Sequence, residues 1–407
     1  MVQSSASPRA ATCPACGHHV AVSFYEGGSQ PLATLAWPKS QKAARSLPKF
    51  HLDFVRCVSC GHVFNVTFDY ENVPYSEKPN LMFNHGNSWS GFLNNVRSAI
   101  LKQLPESPVV VEIGYGDGAF LSGLSEARPG GRYIGFDPNG ASAANTSVEL
   151  RAELFDPARH LAELKPDLII SRHVLEHLVN PLGFLQQMSF CASMLQSAPV
   201  VYLEVPCVDA AISSRRTVDF YYEHSSQFTT ESFTKMLSLS THEIFEIGHG
   251  YEGEVIFGFA SLGAPVTARE HAFQADAFYR ETEDGHNAIC KELADLHVSG
   301  KRVALWGGTG KSAAFMCHYG VDAQRFPVVV DSDQNKAGTF VPGTGQEIRF
   351  RDYLLDHDVD VIIIPPQWRA ADIISEITQN GIVCEQVLIE HLGHLIDYNR
   401  DQHPYRV

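Results

Sequence analysis

The stretch from Val109 to Asp137 limits the possible folds of this 407-residue chain more than any other. The apolar run Val109–Ile113 predicts a buried strand, and the three glycines after it allow the backbone to turn closely around a ligand. A second strand, Tyr133–Phe136, ends on Asp137, roughly 20 residues beyond the glycines, where a carboxylate usually accepts the hydroxyl groups of a ribose. The stretch therefore predicts a ligand-binding strand–turn–helix unit in an α/β fold.

The pattern of the glycines distinguishes two cofactors. A nicotinamide dinucleotide site has its third glycine inside the helix, where this chain has Leu121. The run Glu112–Gly118 reads E-x-G-x-G-x-G and resembles the first motif of the class I methyltransferases, which use S-adenosylmethionine (SAM). A structural turn that binds no ligand is the alternative interpretation.

A second motif follows the predicted strand Leu168–Ile170. Residues 174–181 read V-L-E-H-L-V-N-P and resemble the V-L-E-H-x-x-x-P segment that crosses the SAM site in these methyltransferases. The two motifs together predict SAM as the cofactor. The predicted SAM contacts are Glu112, Gly114, Gly116, Asp117, Gly118, Asp137, Pro138, His173, Val174, Glu176 and His177.

Composition excludes several classes of protein. Hydrophobic residues make up 44% of the chain, enough for two or three domain cores, but no apolar run approaches the ~18 residues that a membrane span needs. The formal net charge of −15 argues against sequence-independent binding to nucleic acid or anionic membranes. The N-terminus lacks the apolar centre of a signal peptide, so we expect a cytoplasmic protein, either a monomer or a homodimer.

Four of the nine cysteines form two C-x-x-C-G knuckles. Such turns point paired thiolates at one centre, and two of them complete a closed tetrahedral zinc site. A redox C-x-x-C is the alternative, but it normally occurs singly. Because sulfur fills all four positions, the zinc is expected to be structural, within a ribbon of short strands. The predicted ligands are Cys13, Cys16, Cys57 and Cys60.

The remaining chain is divided by its local patterns. Between the knuckles, Gln30–Ser46 is polar and predicts an irregular loop, and the loop Asp69–Asn87 is rich in Tyr, Asn and Pro. A second strand–turn–helix begins near Arg302. Its segment Gly307–Ser312 ends like a P-loop, but the first glycine of that motif would stand at position 305, which is Leu, so a P-loop is excluded. We predict a zinc module at 1–68, a methyltransferase core at 69–265, and a linker helix with a second Rossmann-like α/β domain at 266–407.

This order of parts, together with Tyr221–His224, is similar to the sugar C-methyltransferases that act on nucleotide-linked 4-keto deoxysugars in antibiotic and surface-glycan pathways. Their Y-H-E-H segment becomes Y-Y-E-H here, and Gln227 replaces a tyrosine, which indicates a substrate other than the usual antibiotic sugar. Their tail motifs resemble Gly307–Lys311 and Asp331–Gly343. The resemblance implies substrate contacts at Tyr70, Tyr222, Lys311, Lys336, Pro342 and Gly343.

Methylation of a carbon beside a ketone needs a base and a hydrogen-bond donor for the enolate oxygen. A neutral imidazole suits the first task, so His224 is the predicted base, with Glu223 as its helper or as a ligand to sugar hydroxyls. Tyr221 and a tyrosine from the Asp69–Asn87 loop, Tyr75 before Tyr70, are the predicted donors. The alternatives are a methyltransferase acting on oxygen or nitrogen, a carrier-linked or other non-sugar keto substrate, and a scaffold that only binds zinc and sugar.

Overall fold

The computed structural model describes residues 7–75, 86–140 and 147–406, and the chain divides into two compact units, Met1–Arg269 and Glu270–Val407. Part of the predicted Asp69–Asn87 loop, including His85, lies outside the described residues. The strands of the first unit are β1 (Pro8–Ala10), β2 (Val20–Gln30), β3 (Phe50–Cys57), β4 (Val63–Asn65), β5 (Val109–Ile113), β6 (Arg132–Phe136), β7 (Glu149–Arg151), β8 (Leu168–Arg172), β9 (Val200–Pro206), β10 (Ser226–Gln227), β11 (Glu243–Gly250) and β12 (Val255–Ser261). Its helices are α1 (Gln41–Arg45), α2 (Asn87–Gln103), α3 (Ala119–Ala127), α4 (Pro157–Leu164), α5 (Pro181–Met194), α6 (Asp209–Ser214) and α7 (Thr230–Ser240).

A seven-stranded sheet carries the predicted SAM motifs. Its order is β11-β12-β9-β8-β5-β6-β7, with β12 and β11 antiparallel at one edge and the other five strands parallel. The predicted strands at Val109, Tyr133 and Leu168 are confirmed as β5, β6 and β8, and the α/β class is confirmed with them. Strands β6 and β7 lie on one side of β5, and β8 and β9 lie on the other. The turns after β5 and β8 therefore lie on either side of the crevice where such a sheet binds its ligand.

Caps set the starts of the helices that flank this sheet. Asp156 accepts the backbone N–H groups of Ala158 and Arg159, and Pro157 occupies the first turn of α4. Asn180 caps α5 in the same way, with Pro181 in its first turn. Helix α2 buries Phe92, Val96 and Ile100, which are spaced to lie on one face of the helix.

A five-stranded antiparallel sheet holds the cysteine knuckles, in the order β1-β2-β3-β4-β10. Its last strand comes from far along the chain, because Ser226 and Gln227 pair with Phe64 and Val63 of β4. The apolar core that includes Val55 and Phe64 continues into residues of the seven-stranded sheet and its helices. The predicted ribbon therefore contains a strand from the segment that follows Tyr221–His224.

The second unit is a smaller α/β fold. Its sheet has the order β15-β14-β13-β16-β17-β18, and β18 is the antiparallel edge strand. The predicted linker helix is confirmed as a long α8, and the parallel strands are confirmed. The elements are α8 (Thr267–Val298), β13 (Val303–Trp306), α9 (Lys311–His318), β14 (Val328–Asp331), β15 (Ile348–Phe350), α10 (Tyr353–Asp356), β16 (Val361–Ile364), α11 (Ala370–Gln379), β17 (Gln386–His391) and β18 (His394–Asp397). Among the described residues, no helix combines the length and apolar character that membrane crossing requires.

Candidate active site

A cavity of about 450 Å³ opens at the carboxyl ends of β5, β6 and β8. This volume lies within the range of small-molecule sites, and both apolar and polar side chains form its walls. The cavity brings together most of the residues predicted from the two sequence motifs. The predicted residues in its lining are Tyr70, Tyr75, Glu112, Gly114, Gly116, Asp117, Asp137, Pro138, His173, Val174 and His177.

The glycine turn after β5 is shaped for close approach of a ligand. Gly114, Gly116 and Gly118 all have positive φ angles, of 75°, 59° and 73°, which side chains with a Cβ rarely adopt. A Cβ on Gly114 would lie 2.4 Å from Cγ2 of Val174 in the neighbouring turn. These residues could therefore cradle a cofactor against bare backbone, as the sequence predicted.

Asp137 stabilises this turn through hydrogen bonds to the backbone. One carboxylate oxygen accepts the backbone N–H of Gly116 at 3.2 Å, and the other accepts the N–H of Asn139 at 2.9 Å. Each oxygen keeps a second lone pair for a ligand. The carboxylate lies in the cavity wall beside the glycines, so it could accept the two hydroxyl groups of a ribose.

Glu112, at the end of β5, is only 2% exposed although it lines the cavity. Burial raises the pKa of its carboxyl group to about 8, and Oε2 has no hydrogen-bond partner among the described residues. A buried polar atom without a partner is costly unless a ligand supplies one. Glu112 therefore fits a polar group of SAM.

A buried charge network lies beside the cavity, and the sequence did not reveal it. Glu204 is fully buried and accepts hydrogen bonds from Arg172 at 3.1 Å and Tyr202 at 2.7 Å. His173 Nε2 lies 3.0 Å from Glu204, and its Nδ1 lies 3.4 Å from Glu176. Despite burial, these carboxylates raise the pKa of His173, so its imidazole is held as a cation in the cavity wall.

The residues predicted to be catalytic form a second cluster. Tyr75 and His177 belong to this cluster and also line the cavity. The Tyr75 hydroxyl donates to the backbone carbonyl of Glu223 at 2.6 Å. Nδ1 of His177 lies 2.8 Å from the Tyr75 hydroxyl oxygen and 2.8 Å from the Glu223 carbonyl oxygen. The imidazole rings of His177 and His224 are 4.8 Å apart between centroids. Nε2 of His224 lies 2.9 Å from the Tyr221 hydroxyl.

Burial sets the protonation of this cluster. It lowers the pKa of His224 to about 3, so the imidazole is neutral at neutral pH and can accept a proton. Burial and nearby carboxylates raise the pKa values of Tyr75 and Tyr221, so both hydroxyl groups keep their protons. The cluster therefore holds one neutral base and two phenol donors.

Tyr222 and Gln227, the two departures from the family pattern, are buried. The Tyr222 side chain is 1% exposed, and its hydroxyl accepts hydrogen bonds from Asp69 N–H at 2.9 Å and the Asn72 side chain at 3.1 Å. Gln227 donates to the backbone carbonyl of His224 at 3.3 Å. Both residues support the segment around the predicted base, and substrate contact by Tyr222 stays a prediction.

The four knuckle cysteines converge as the sequence predicted. Their sulfurs all lie within 4.8 Å of one another, with Cys13–Cys60 at 3.7 Å and Cys16–Cys57 at 3.6 Å. A tetrahedron with zinc–sulfur bonds of ~2.3 Å has edges of about 3.8 Å. The cluster could therefore hold zinc with no position left for water.

The predicted substrate contacts of the second unit lie near the ends of β13 and β14. The ammonium group of Lys311 lies 3.9 Å from the centre of the Trp368 ring, and Lys336 pairs with Asp331 at 3.0 Å. Asp331 also accepts the backbone N–H of Gly308 at 3.1 Å. Gly343 has a φ of 88°, and Pro342, beside it, accepts a hydrogen bond from the Cys317 thiol.

Two family models match the chain. A methyltransferase domain matches residues 89–240, and a C-methyltransferase C-terminal domain matches residues 267–385. No curated protein sequence matches.

Solved structures resemble part of the chain. A SAM-dependent methyltransferase from Aquifex aeolicus is 12% identical and aligns over 44% of this chain and 100% of its own, with a TM-score of 0.30. Magnesium protoporphyrin IX methyltransferase from Synechocystis PCC 6803 is 14% identical and aligns over 45% and 91%, with a TM-score of 0.33. The two family matches are what identify the activity: the chain carries a methyltransferase domain followed by a C-methyltransferase C-terminal domain, and it is a SAM-dependent methyltransferase.

Proposed function

We propose that this enzyme methylates a carbon adjacent to the ketone of a nucleotide-linked 4-keto deoxysugar. The observation that carries the proposal is the position of the His224 imidazole, which contacts His177, and His177 lines the SAM-site cavity together with Tyr75. The match to a C-methyltransferase C-terminal domain supports carbon as the methyl acceptor. A methyltransferase acting on oxygen or nitrogen would not need a donor for an enolate oxygen.

His224 removes the proton from the carbon beside the ketone. Before substrate binds, its Nε2 lies 2.9 Å from the Tyr221 hydroxyl, and the substrate must displace this contact, which frees the single imidazole lone pair for the proton and the hydroxyl for the enolate oxygen. The fully buried carboxylate of Glu176 favours the imidazolium that forms, because a nearby negative charge stabilises the cation.

Tyr75 is the better placed donor for the enolate oxygen. It lines the cavity and is 8% exposed, whereas Tyr70 is 41% exposed, and a hydrogen-bond donor acts more strongly where water is excluded. Before substrate binds, the Tyr75 hydroxyl donates to the Glu223 carbonyl, so the substrate oxygen must replace that carbonyl as acceptor. Tyr221 is the second donor.

Bound SAM supplies an electrophilic methyl group. Glu112, the glycine turn and Asp137 would hold it in the cavity, which His173 and Val174 also line. The nucleotide part of the acceptor is assigned to the second unit, at Lys311, Lys336, Pro342 and Gly343. The structural zinc is assigned to the four knuckle cysteines.

The test uses hydrogen exchange in deuterated water with S-adenosylhomocysteine, so that no methyl group can be transferred. Wild-type enzyme and a panel of nucleotide 4-keto sugars should give deuterium at the carbon beside the ketone. His224→Asn should still bind SAM and substrate but should lower turnover by about 10²–10⁴, the usual contribution of a general base. His242→Asn, at an exposed histidine, is the matched control and should retain activity.

The outcomes separate the alternatives. If exchange survives in His224→Asn, the base lies elsewhere, and Tyr75 or Glu223 becomes the candidate. If the wild-type enzyme exchanges no proton with any keto sugar, an oxygen or nitrogen acceptor becomes the better explanation. NMR of the methylated product identifies the acceptor atom directly.

A further inference from the structure

The carboxylate of Glu223 is held by the N-terminal part of the chain. Its Oε1 accepts the backbone N–H of Thr34 at 2.7 Å, the hydroxyl of Thr34 at 3.1 Å and the backbone N–H of Leu35 at 3.3 Å. Thr34 and Glu223 are 189 residues apart in sequence. The donors belong to the segment between β2 and β3, whose ends lie in the sheet of the cysteine knuckles.

The other oxygen of the same carboxylate is different. Oε2 is buried and has no hydrogen-bond partner among the described residues, and Glu223 as a whole is 0% exposed. A buried, unpartnered carboxylate oxygen is costly, and a bound hydroxyl group would relieve that cost. Glu223 therefore has one oxygen occupied by protein donors and one left for a ligand.

We propose that Thr34 is a positioning residue for the methylation reaction, because it fixes the Glu223 carboxylate so that Oε2 can accept a hydroxyl group of the acceptor. Thr34 acts only through Glu223 and does not touch the reacting atoms. This inference rests on the proposed function, in which Glu223 belongs to the same segment as the base His224.

Three hydrogen bonds, two from Thr34 and one from Leu35, restrain the Glu223 carboxylate. Rotation of the Glu223 carboxylate would break three hydrogen bonds at once, since all three converge on Oε1. Hydrogen bonds to a charged acceptor are roughly twice as strong as neutral ones. The carboxylate is thus restrained before the substrate arrives, and such preorganisation lowers the cost of orienting the substrate.

Leu35 places this segment next to the substrate region. It lines a second cavity of about 670 Å³, and Tyr70 lines both this cavity and the SAM-site cavity. The segment that holds Glu223 therefore lies close to the aromatic residues predicted to contact the acceptor.

The test is a double-mutant cycle on the full-length enzyme, with Thr34→Val, Glu223→Gln and both changes together. Thr34→Val keeps the shape of the side chain but removes the hydroxyl donor, and we expect kcat to fall about tenfold while the Kd for SAM is unchanged. Thr34→Ser restores the donor and should return kcat to within about twofold of wild type. Ser40→Ala changes a helix cap in the same segment without touching Glu223 and should leave kcat unchanged.

If Thr34 acts through Glu223, the effects of substituting the two residues on kcat must not be additive. In the Glu223→Gln background, Thr34→Val should lower kcat by no more than about twofold. An equal loss of activity in both backgrounds, or no loss in wild type, would overturn the role of Thr34 while leaving the proposed function standing. If the wild-type enzyme neither methylates nor exchanges any keto sugar, the proposed function fails, and the role of Thr34 fails with it.

Discussion

The assignment of the ribose of SAM to Asp137 is best tested by Asp137→Asn. The substitution keeps the size of the side chain and one oxygen acceptor but removes the charge. Because the two carboxylate oxygens accept the backbone N–H groups of Gly116 and Asn139, either orientation of the new amide places its NH₂ group against one of these donors. Hydrogen bonds to a charged group are worth about 1.5–3 kcal/mol, so we expect the Kd for SAM to rise about 10- to 150-fold.

Titration calorimetry with SAM and with S-adenosylhomocysteine measures this change directly. Glu163→Gln is the control, because Glu163 is an exposed carboxylate that pairs with Arg151 and is absent from the cavity lining. Asp137→Ala should weaken binding further, since it also releases the brace on the glycine turn. An unchanged Kd for Asp137→Asn would refute the ribose assignment, and binding of NAD in place of SAM would refute the cofactor.

Three further predictions concern metal, stability and pH. Cys57→Ser should abolish zinc binding by metal analysis and unfold the N-terminal sheet by circular dichroism; retained zinc would contradict this. Tyr222→Phe should lower the free energy of unfolding in urea by about 0.5–1.5 kcal/mol, because the backbone N–H of Asp69 and the side chain of Asn72 lose their acceptor; an unchanged midpoint would contradict this. Because His224 has a pKa of about 3, deuterium exchange should stay constant as pH falls from 7 to 5; a midpoint near the ordinary histidine value of ~6.5 would contradict it.

The sequence was sufficient to predict the sheet that carries the candidate cofactor site. Its central strands are short apolar runs, and its glycines stand where positive φ angles are required, so local patterns carry the information. The convergence of the knuckle cysteines followed from their spacing alone. The positions of Gly114 and Asp137 in the fold could be predicted because a turn and the end of a strand depend on residues that are adjacent in sequence.

The contacts of the segment Tyr221–Gln227 were not predictable, because they join residues far apart in sequence. Residues Gln30–Ser46 were predicted as an irregular loop, and nothing local indicates that Thr34 binds a carboxylate 189 residues away. β10 is a polar strand of two residues, too short for any periodic pattern. Nor could the sequence tell which of the polar residues between Tyr221 and His224 point inward, since that depends on the backbone path.

The pairing of β10 with β4 has a consequence for how the protein is made. Residues 8–65 are synthesised about 160 positions before Ser226 and Gln227, so until then β4 is an unpaired edge of the N-terminal sheet. An unpaired edge is a template for association with other chains. Contacts of such long sequence separation also slow folding, so this edge stays exposed in the cell until Ser226 and Gln227 are made and pair with it.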